Sequence, residues 1–400
     1  MAATETPGNR KLAALTAAAL LLPGMAPEAE ATGIDDSRLE TGFSRYEESG
    51  NRMRVDIYQA ALMAPLSDHW NVMVNGVKDV VSGASPVAVG RDHNGKPALI
   101  MSRASIRDVR DAVDIKASYT QDIGMYSVDL GRSSENDYTS TFFNVDGRWD
   151  LNQKMTTLAA GFGYASDQVW ANVPSTSGRE PGIGGDKQSY QGMLGLTQVL
   201  DKNSLLQANL TYSNSQGYLS DPYKFALTLF PAPNGEYFGS YGYLRDNRPG
   251  QREQFGVLLR YVRNFSGMNS AALHLDYRFY SDTWGIDAHT FEASWYQPLF
   301  DGWLLMPRVR YYSQLAADFY QPIYGKSRAD GHYSSDYRLA GFGAVSGGVQ
   351  LSKEFFDRLR LAATFDFYQR RKDLAFGNDV GVSADDFSFS MFGVNVEWKF

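Results

Sequence analysis

The chain contains no cysteine. Disulfides, thiol catalysis, iron–sulfur clusters and cysteine-based zinc sites are therefore excluded. Five histidines leave little material for a histidine-rich metal centre. Beyond the first 31 residues no stretch approaches the roughly 18 apolar residues of a membrane-spanning helix. An excess of positive charge is also missing. Lys and Arg total 38 against 45 Asp and Glu, a net charge of −7, which argues against a nucleic-acid partner. No G-x-S-x-G nucleophile elbow occurs, and where a P-loop ending at Gly325-Lys326-Ser327 needs its first glycine there is Tyr320. Neither catalysis, a cofactor nor a metal is expected.

Aromatic residues are plentiful: 24 Tyr, 23 Phe and 7 Trp, with 38 Gly. Arg10 and Lys11 precede the apolar run Leu12–Leu22, and Ala29-Glu30-Ala31 follows. This is the layout of a cleaved signal peptide, residues 1–31, leaving a single unit from 32 to 400. Within that unit, period-two alternation recurs throughout. Leu273, Leu275, Tyr277 and Phe279 share one parity, and His274, Asp276, Arg278 and Tyr280 the other. Val113, Ile115 and Ala117 alternate with Asp114, Lys116 and Ser118. Phe143, Val145 and Trp149 alternate with Asn144, Asp146, Arg148 and Asp150.

Connections come in two sizes. Short turns are expected near Leu66–His69, Gln121–Gly124, Asn152–Lys154, Asp201–Asn203, Ser266–Asn269, Phe300–Gly302 and Ser352–Arg358. Longer segments lie near Gly83–Ser105, Trp170–Gly185, Tyr218–Gly250, Leu315–Asp336 and Arg371–Asp385. Short turns at one rim and long loops at the other form the pattern of an outer-membrane barrel. Fifteen strands from Arg52 to Phe400, with Ser37–Tyr46 as a first, give an all-β, antiparallel up-and-down transmembrane barrel of about sixteen strands (14–16). Phe392, Val394, Val396, Trp398 and the terminal Phe400 share one parity. Such a strand resembles the signature read by the barrel-assembly machinery, so the expected partners are that machinery and outer-membrane lipid. Phe387 and Phe389 have the opposite parity, for which a bulge or a rim position is expected.

Several phrases resemble a family catalogued as domain of unknown function 3570. They include VSGASP (Val81–Pro86), ENDY (Glu135–Tyr138), LTQVLDKNSLLQANLTYS (Leu196–Ser213), GYLSDPYK (Gly217–Lys224) and DNRP (Asp246–Pro249). ALHLDYRFYSDTWGIDAHTFEASWYQPL (Ala272–Leu299), RVRYYSQLAADFY (Arg308–Tyr320) and HYSSDYR (His332–Arg338) complete them. The resemblance covers nearly the whole mature chain. It implies a Gram-negative outer-membrane protein, and a genomic setting that points to a lipoprotein or thioredoxin-like partner in flavin-linked envelope electron transfer. It supplies no catalytic motif.

The functional candidates are the charges expected inside the barrel: Asp114, Lys116, Asp146, Arg148, His274, Asp276, Arg278, Glu292, Arg308 and Arg310. Mixed signs there would set a transverse field and select solutes by charge and size, or would pair across strands and fill the lumen. The loop Tyr218–Gly250 carries Phe225, Phe230, Tyr237, Phe238, Tyr241 and Tyr243. It is too apolar to stand in water and is a candidate constriction or docking surface. Phe319, Tyr320, Tyr324 and Tyr333 add to the same rim. Asp221, Asp282, Asp287, Asp318, Asp330 and Asp336 are oxygen ligands of the kind calcium takes, but their spacing matches no EF-hand, so solvated loop tips are the simpler expectation. The function expected is a porin-like channel for small polar solutes, or a barrel scaffold for a lipoprotein or redox complex.

Overall fold

In the computed structural model of the chain, sixteen strands form a closed antiparallel barrel. The structure describes residues 37–84, 86–91, 97–101, 106–172, 179–230, 236–238, 241–376 and 386–400. The expected leader, residues 1–31, lies outside the described residues. The barrel strands are β1 (Arg38–Glu48), β2 (Met53–Pro65), β3 (Trp70–Gly83), β4 (Ile106–Gln121), β5 (Gly124–Ser134), β6 (Tyr138–Leu151), β7 (Thr156–Asn172) and β8 (Arg179–Asp201). They continue as β9 (Ser204–Gly217), β10 (Gln251–Phe265), β11 (Ala271–Asp282), β12 (Asp287–Pro298), β13 (Trp303–Gln314), β14 (Phe342–Phe355), β15 (Leu359–Arg371) and β16 (Phe387–Lys399).

Each strand pairs with the next, and β1 closes on β16 with Arg38 opposite Lys399 and Glu47 opposite Ser390. Ser37 and Phe400 exchange backbone hydrogen bonds of 3.1 and 2.9 Å, fixing the last residue to the first described one. Closure satisfies every edge strand internally, which an open sheet cannot do in an apolar surrounding.

The period of two sorts the side chains. Val113, Ile115, Val128, Leu130, Val309 and Phe365 project outward and are exposed, although apolar. Asp129, between Val128 and Leu130, and Asp276, beside the exposed Leu275, are buried on the inner side. This inverts a soluble protein, whose exposed face is polar.

Seven short connections, at 66–69, 122–123, 152–155, 202–203, 266–270, 299–302 and 356–358, share one rim with both ends of the described chain. The connection at 299–302 is tight because Asp301 and Gly302 both take positive φ (49° and 71°), the requirement of a two-residue hairpin whose twist matches its strands. The long connections gather at the opposite rim.

Two expectations need correction, and one that offered two alternatives is resolved. The glycine-rich segment Trp170–Gly185 is mostly strand: β7 reaches Asn172, and β8 starts at Arg179. Gly182 and Gly184, at φ 78° and 125°, take up a register shift between Arg179 and Gly184, so these glycines mark a bulge rather than a loop. The turn expected at Ser352–Arg358 shrinks to 356–358, with Ser352 buried within β14. Of the two alternatives for Phe387 and Phe389, the structure has the rim position and not the bulge, since β16 keeps register with both neighbours. They face inward near the long-loop rim, where Phe389 lies 4.6 Å from both Tyr46 and Tyr368, and Phe387 packs 6.1 Å from Tyr337.

Candidate functional site

On one arc of the inner wall, Arg260, Asp276, Glu292 and Arg310 fall on one register row across β10–β13. Arg260 donates to Asp276 twice, at 2.8 and 2.7 Å, and Arg278 stands 3.5 Å from the same carboxylate. His274 lies against Tyr296 with ring centroids 4.4 Å apart. Arg308 reaches across β14 to Asp366 in a two-pronged pair of 2.9 and 2.5 Å. It can do so because the intervening register position is Gly348, where an added Cβ would collide with the Asp366 carboxylate. Gly348→Ala is therefore expected to displace that carboxylate and cost about 1–3 kcal/mol. The readout is a lower midpoint in the heat-induced gel shift of the folded barrel; an unchanged midpoint would contradict it.

The facing arc is acidic. Asp114 accepts from Asn75 at 2.8 Å, and Asp129 from Asn144 at 3.1 Å. Lys116 pairs with Asp146 at 3.2 Å, and Arg148 with Asp150 at 3.3 Å. Among the described residues, inward positions of β3–β8 carry seven carboxylates (Asp79, Asp108, Asp114, Asp129, Asp146, Asp150, Asp167) against four cations (Arg110, Lys116, Arg148, Lys187). Those of β10–β15 carry seven arginines (Arg252, Arg260, Arg278, Arg308, Arg310, Arg360, Arg370) against five carboxylates (Asp276, Asp282, Glu292, Glu354, Asp366). Strands β5 and β13 are half the ring apart. The two arcs of opposite net sign thus face one another across the bore.

Above this bore the long connections fold inward. Leu219, Phe319, Tyr320 and Leu339 pack with the inner-wall residues Tyr280, Tyr312 and Phe342 in one buried cluster. Strands Phe225–Thr228, Glu236–Phe238, Tyr241–Arg245 and Ile323–Tyr324 form a small sheet joining loops 218–250 and 315–341. Phe225 meets Tyr243 edge-on at 5.3 Å, and Phe230 lies 6.4 Å from Tyr333. The side chains of Tyr237, Phe238 and Tyr241 lie outside the described residues.

A buried charge network pins this assembly. Arg248 donates to Asp246 at 2.6 Å and to Asp336 at 2.7 Å. Arg338 binds Asp336 and, at 2.9 Å, Asp221. Lys224 stands 3.8 Å from Asp336 and donates to the Pro86 carbonyl at 2.8 Å. Ser334 donates to Asp246. Three carboxylates thus meet three cations, with Lys224, Asp246, Arg248 and Asp336 buried and Asp221 and Arg338 partly exposed at the edge. Burial alone would raise the carboxyl of Asp336; Arg338, Lys224 and Arg248 outweigh it and hold that group well below the ordinary range. Asp221 is likewise lowered, by Lys224 and Arg338 against burial. Burial pushes the Lys224 ammonium down.

Sequence reasoning missed this network, although the phrases that carry the family resemblance compose it. GYLSDPYK supplies Asp221 and Lys224, DNRP supplies Asp246 and Arg248, and HYSSDYR supplies Ser334, Asp336 and Arg338. VSGASP contributes the Pro86 carbonyl, and Asp137 of ENDY accepts from Tyr223 at 2.7 Å. Of the acidic residues weighed as calcium ligands, Asp221, Asp282, Asp330 and Asp336 are each answered by arginine. The exposed one, Asp330, is lowered to about 2 by its bond from Arg328.

The sequence matches the family described as protein of unknown function (DUF3570) over residues 12–391. No functionally curated protein matches it. Among solved structures, the fold is similar to a "Bacterial polysaccharide outer membrane secretin", with TM-score 0.51 and 8% identity over 91% of this chain and 98% of that one. It is also similar to "CdiB from Acinetobacter baumannii", with TM-score 0.52 and 8% identity over 91% of this chain but only 60% of that one. At such identities the likeness concerns the fold, that of outer-membrane barrels.

Proposed function

The chain belongs to the DUF3570 family of proteins of unknown function, and we propose that it is a channel of the outer membrane that passes small polar solutes through a charge-divided, rim-restricted bore. An apolar outward face on a closed barrel suits hydrocarbon. Assembly there would begin from the C-terminal strand ending at Phe400.

One observation carries the reading: an acidic arc and an arginine-rich arc face each other across the interior. Opposed charges in a confined, low-dielectric wall make a transverse field that bulk water would screen within about 8 Å at physiological salt. A dipolar or zwitterionic solute crossing that field is oriented, and an apolar one must give up ordered water to enter. Most of the wall charges are paired, so the field is that of the net difference between the arcs. The inward-folded loops narrow the entrance and set the size limit.

The test is single-channel recording of the purified barrel in a planar bilayer. Discrete conductance steps, with a reversal potential under a salt gradient, are the expected outcome. A silent barrel that co-purifies with a lipoprotein would overturn the channel and favour a scaffold.

A further inference from the structure

Six of the seven short connections present a large apolar side chain to the outside, and the remaining one has such a side chain beside it. Leu66 is in the first, Ile123 in the second, Met155 in the third, Met268 in the fifth, Phe300 in the sixth and Phe356 in the seventh; all are exposed. Leu200, exposed beside the fourth, and the terminal Phe400 complete the circuit. Turns standing in water are ordinarily built from Gly, Asn, Asp and Ser, each for its backbone conformation.

Phe356 shows the anomaly most sharply. It is 92% exposed, so it packs on nothing within the chain. It also occupies the first central position of its hairpin at φ 55°, with Asp357 at 58°. That position favours Asn or Gly, and a bulky side chain there is a genuine outlier. A residue that strains its backbone and offers its ring to the outside gains nothing in the isolated chain. Its partner lies beyond the chain.

The distribution identifies the partner. A docked protein, or a second copy, would cover one arc of the rim. Here the apolar residues recur in or beside each connection around the circumference, continuous with the apolar outward wall above them. Six of the seven connections also carry a charged residue: Asp68, Asp122, Lys154, Lys202, Asp301, and Asp357 with Arg358. A bulky apolar group next to a charge is the composition of a membrane–water interface, where the ring enters the acyl boundary and the charge meets headgroups.

We infer that the short-turn rim is seated in the phospholipid headgroup layer of its leaflet, with an apolar anchor in or beside each connection, and does not project into water. The inference rests on the membrane placement proposed above.

The absence of cysteine makes the test direct. Single spin labels are placed by Ile123→Cys, Met155→Cys, Met268→Cys and Phe356→Cys in barrels reconstituted into phosphatidylethanolamine–phosphatidylglycerol vesicles. Collision with oxygen, which partitions into lipid, is compared with collision with a water-soluble nickel chelate. Val309→Cys, on the outward wall, is the lipid reference, and Asp330→Cys, exposed on the opposite rim, is the aqueous one. The expected result is an oxygen-to-nickel ratio at all four sites several-fold above that of Asp330→Cys. If Val309→Cys reads as lipid-exposed while the four match the aqueous reference, the rim stands in water and the inference falls alone. If Val309→Cys also reads as aqueous, the membrane placement falls and takes the inference with it. Lipid contact at only one or two adjacent sites would likewise overturn the continuous ring.

Discussion

Asp336→Ala is expected to raise single-channel conductance several-fold and to make the open level noisy. The side chain of Asp336 is fully buried and is the hub on which Arg248, Arg338 and Lys224 converge. Removing it leaves those cations with only Asp221 and Asp246 between them. Breaking a buried pair by deleting one partner costs about 3–5 kcal/mol, because the remaining charges are left uncompensated. That penalty exceeds what a two-residue strand such as Ile323–Tyr324 contributes. The cheapest relief is for the rim assembly to swing away and hydrate its cations. The barrel wall, closed by backbone hydrogen bonds, does not depend on this network. The heat-induced gel shift should therefore stay close to wild type while conductance rises. Asp330→Ala, on the same connection but exposed, paired with Arg328 and accepting from the His332 backbone N–H, should leave conductance unchanged. The pH dependence has a definite sign. A carboxylate whose folded value is depressed stabilises above its unfolded range and loses that contribution only as pH falls through the depressed value. Lowering the pH from 7 to 5 should not open the rim; opening should begin only below the ordinary range of aspartate. An Asp336→Ala barrel with wild-type conductance at every pH would show that the network does not hold the constriction.

The second large effect concerns selectivity. The double variant Asp114→Asn/Asp129→Asn removes two inward carboxylates that accept from amide side chains, those of Asn75 and Asn144. Their lysine and arginine neighbours pair elsewhere, Lys116 with Asp146 and Arg148 with Asp150. A unit charge acts on an ion about 4 Å away with about 1 kcal/mol in water and more in a narrow bore. Two such charges on one arc shift the cation-to-anion permeability ratio toward anions by roughly 5–30-fold, at 1.4 kcal/mol per factor of ten. Neither substitution changes shape appreciably, so the folded yield should be preserved. An unchanged reversal potential would show that permeating ions do not pass this wall.

The barrel was legible in the sequence because its rule is local. Alternation of Leu275 and Asp276, or of Val309 and Arg310, needs no knowledge of distant residues, and hydrogen-bond closure supplies the rest. The first strand is legible in the shared parity of Leu39, Thr41 and Phe43, and a closed single-chain barrel needs it for an even count. Glycine was the main source of misreading. In Trp170–Gly185 it marks a bulge, whereas in the Asp301-Gly302 turn it supplies positive φ, and composition alone does not separate these uses. Phe387 and Phe389 depart from the parity of their strand for another reason. The interior near the long-loop rim is aromatic because the loops fold into it, so an inward position there is not polar.

The site was legible only in part. The inward candidates Asp114, Lys116, Asp146, Arg148, Asp276, Arg278, Glu292, Arg308 and Arg310 followed from parity, but their partners did not. Arg308 finds Asp366 58 residues away, across a glycine that gives no charge signal. Arg248 and Asp336 are 88 residues apart, and no periodicity links them. The local pattern Asp-x-Arg, present at Asp246–Arg248 and again at Asp336–Arg338, was the available signal. Two such pairs on neighbouring loops can exchange partners, as Arg248 does with Asp336.

The sidedness of the wall underlies all of this, and cysteine scanning along β14 measures it most directly. Ser346→Cys and Gln350→Cys point inward, while Val345→Cys and Val349→Cys point outward and are exposed. In sealed proteoliposomes, a small charged thiol reagent that cannot cross lipid should modify Ser346→Cys and Gln350→Cys and leave Val345→Cys and Val349→Cys unmodified. Equal modification of all four, or the reverse pattern, would contradict a wet, charged interior enclosed by a lipid-facing apolar wall.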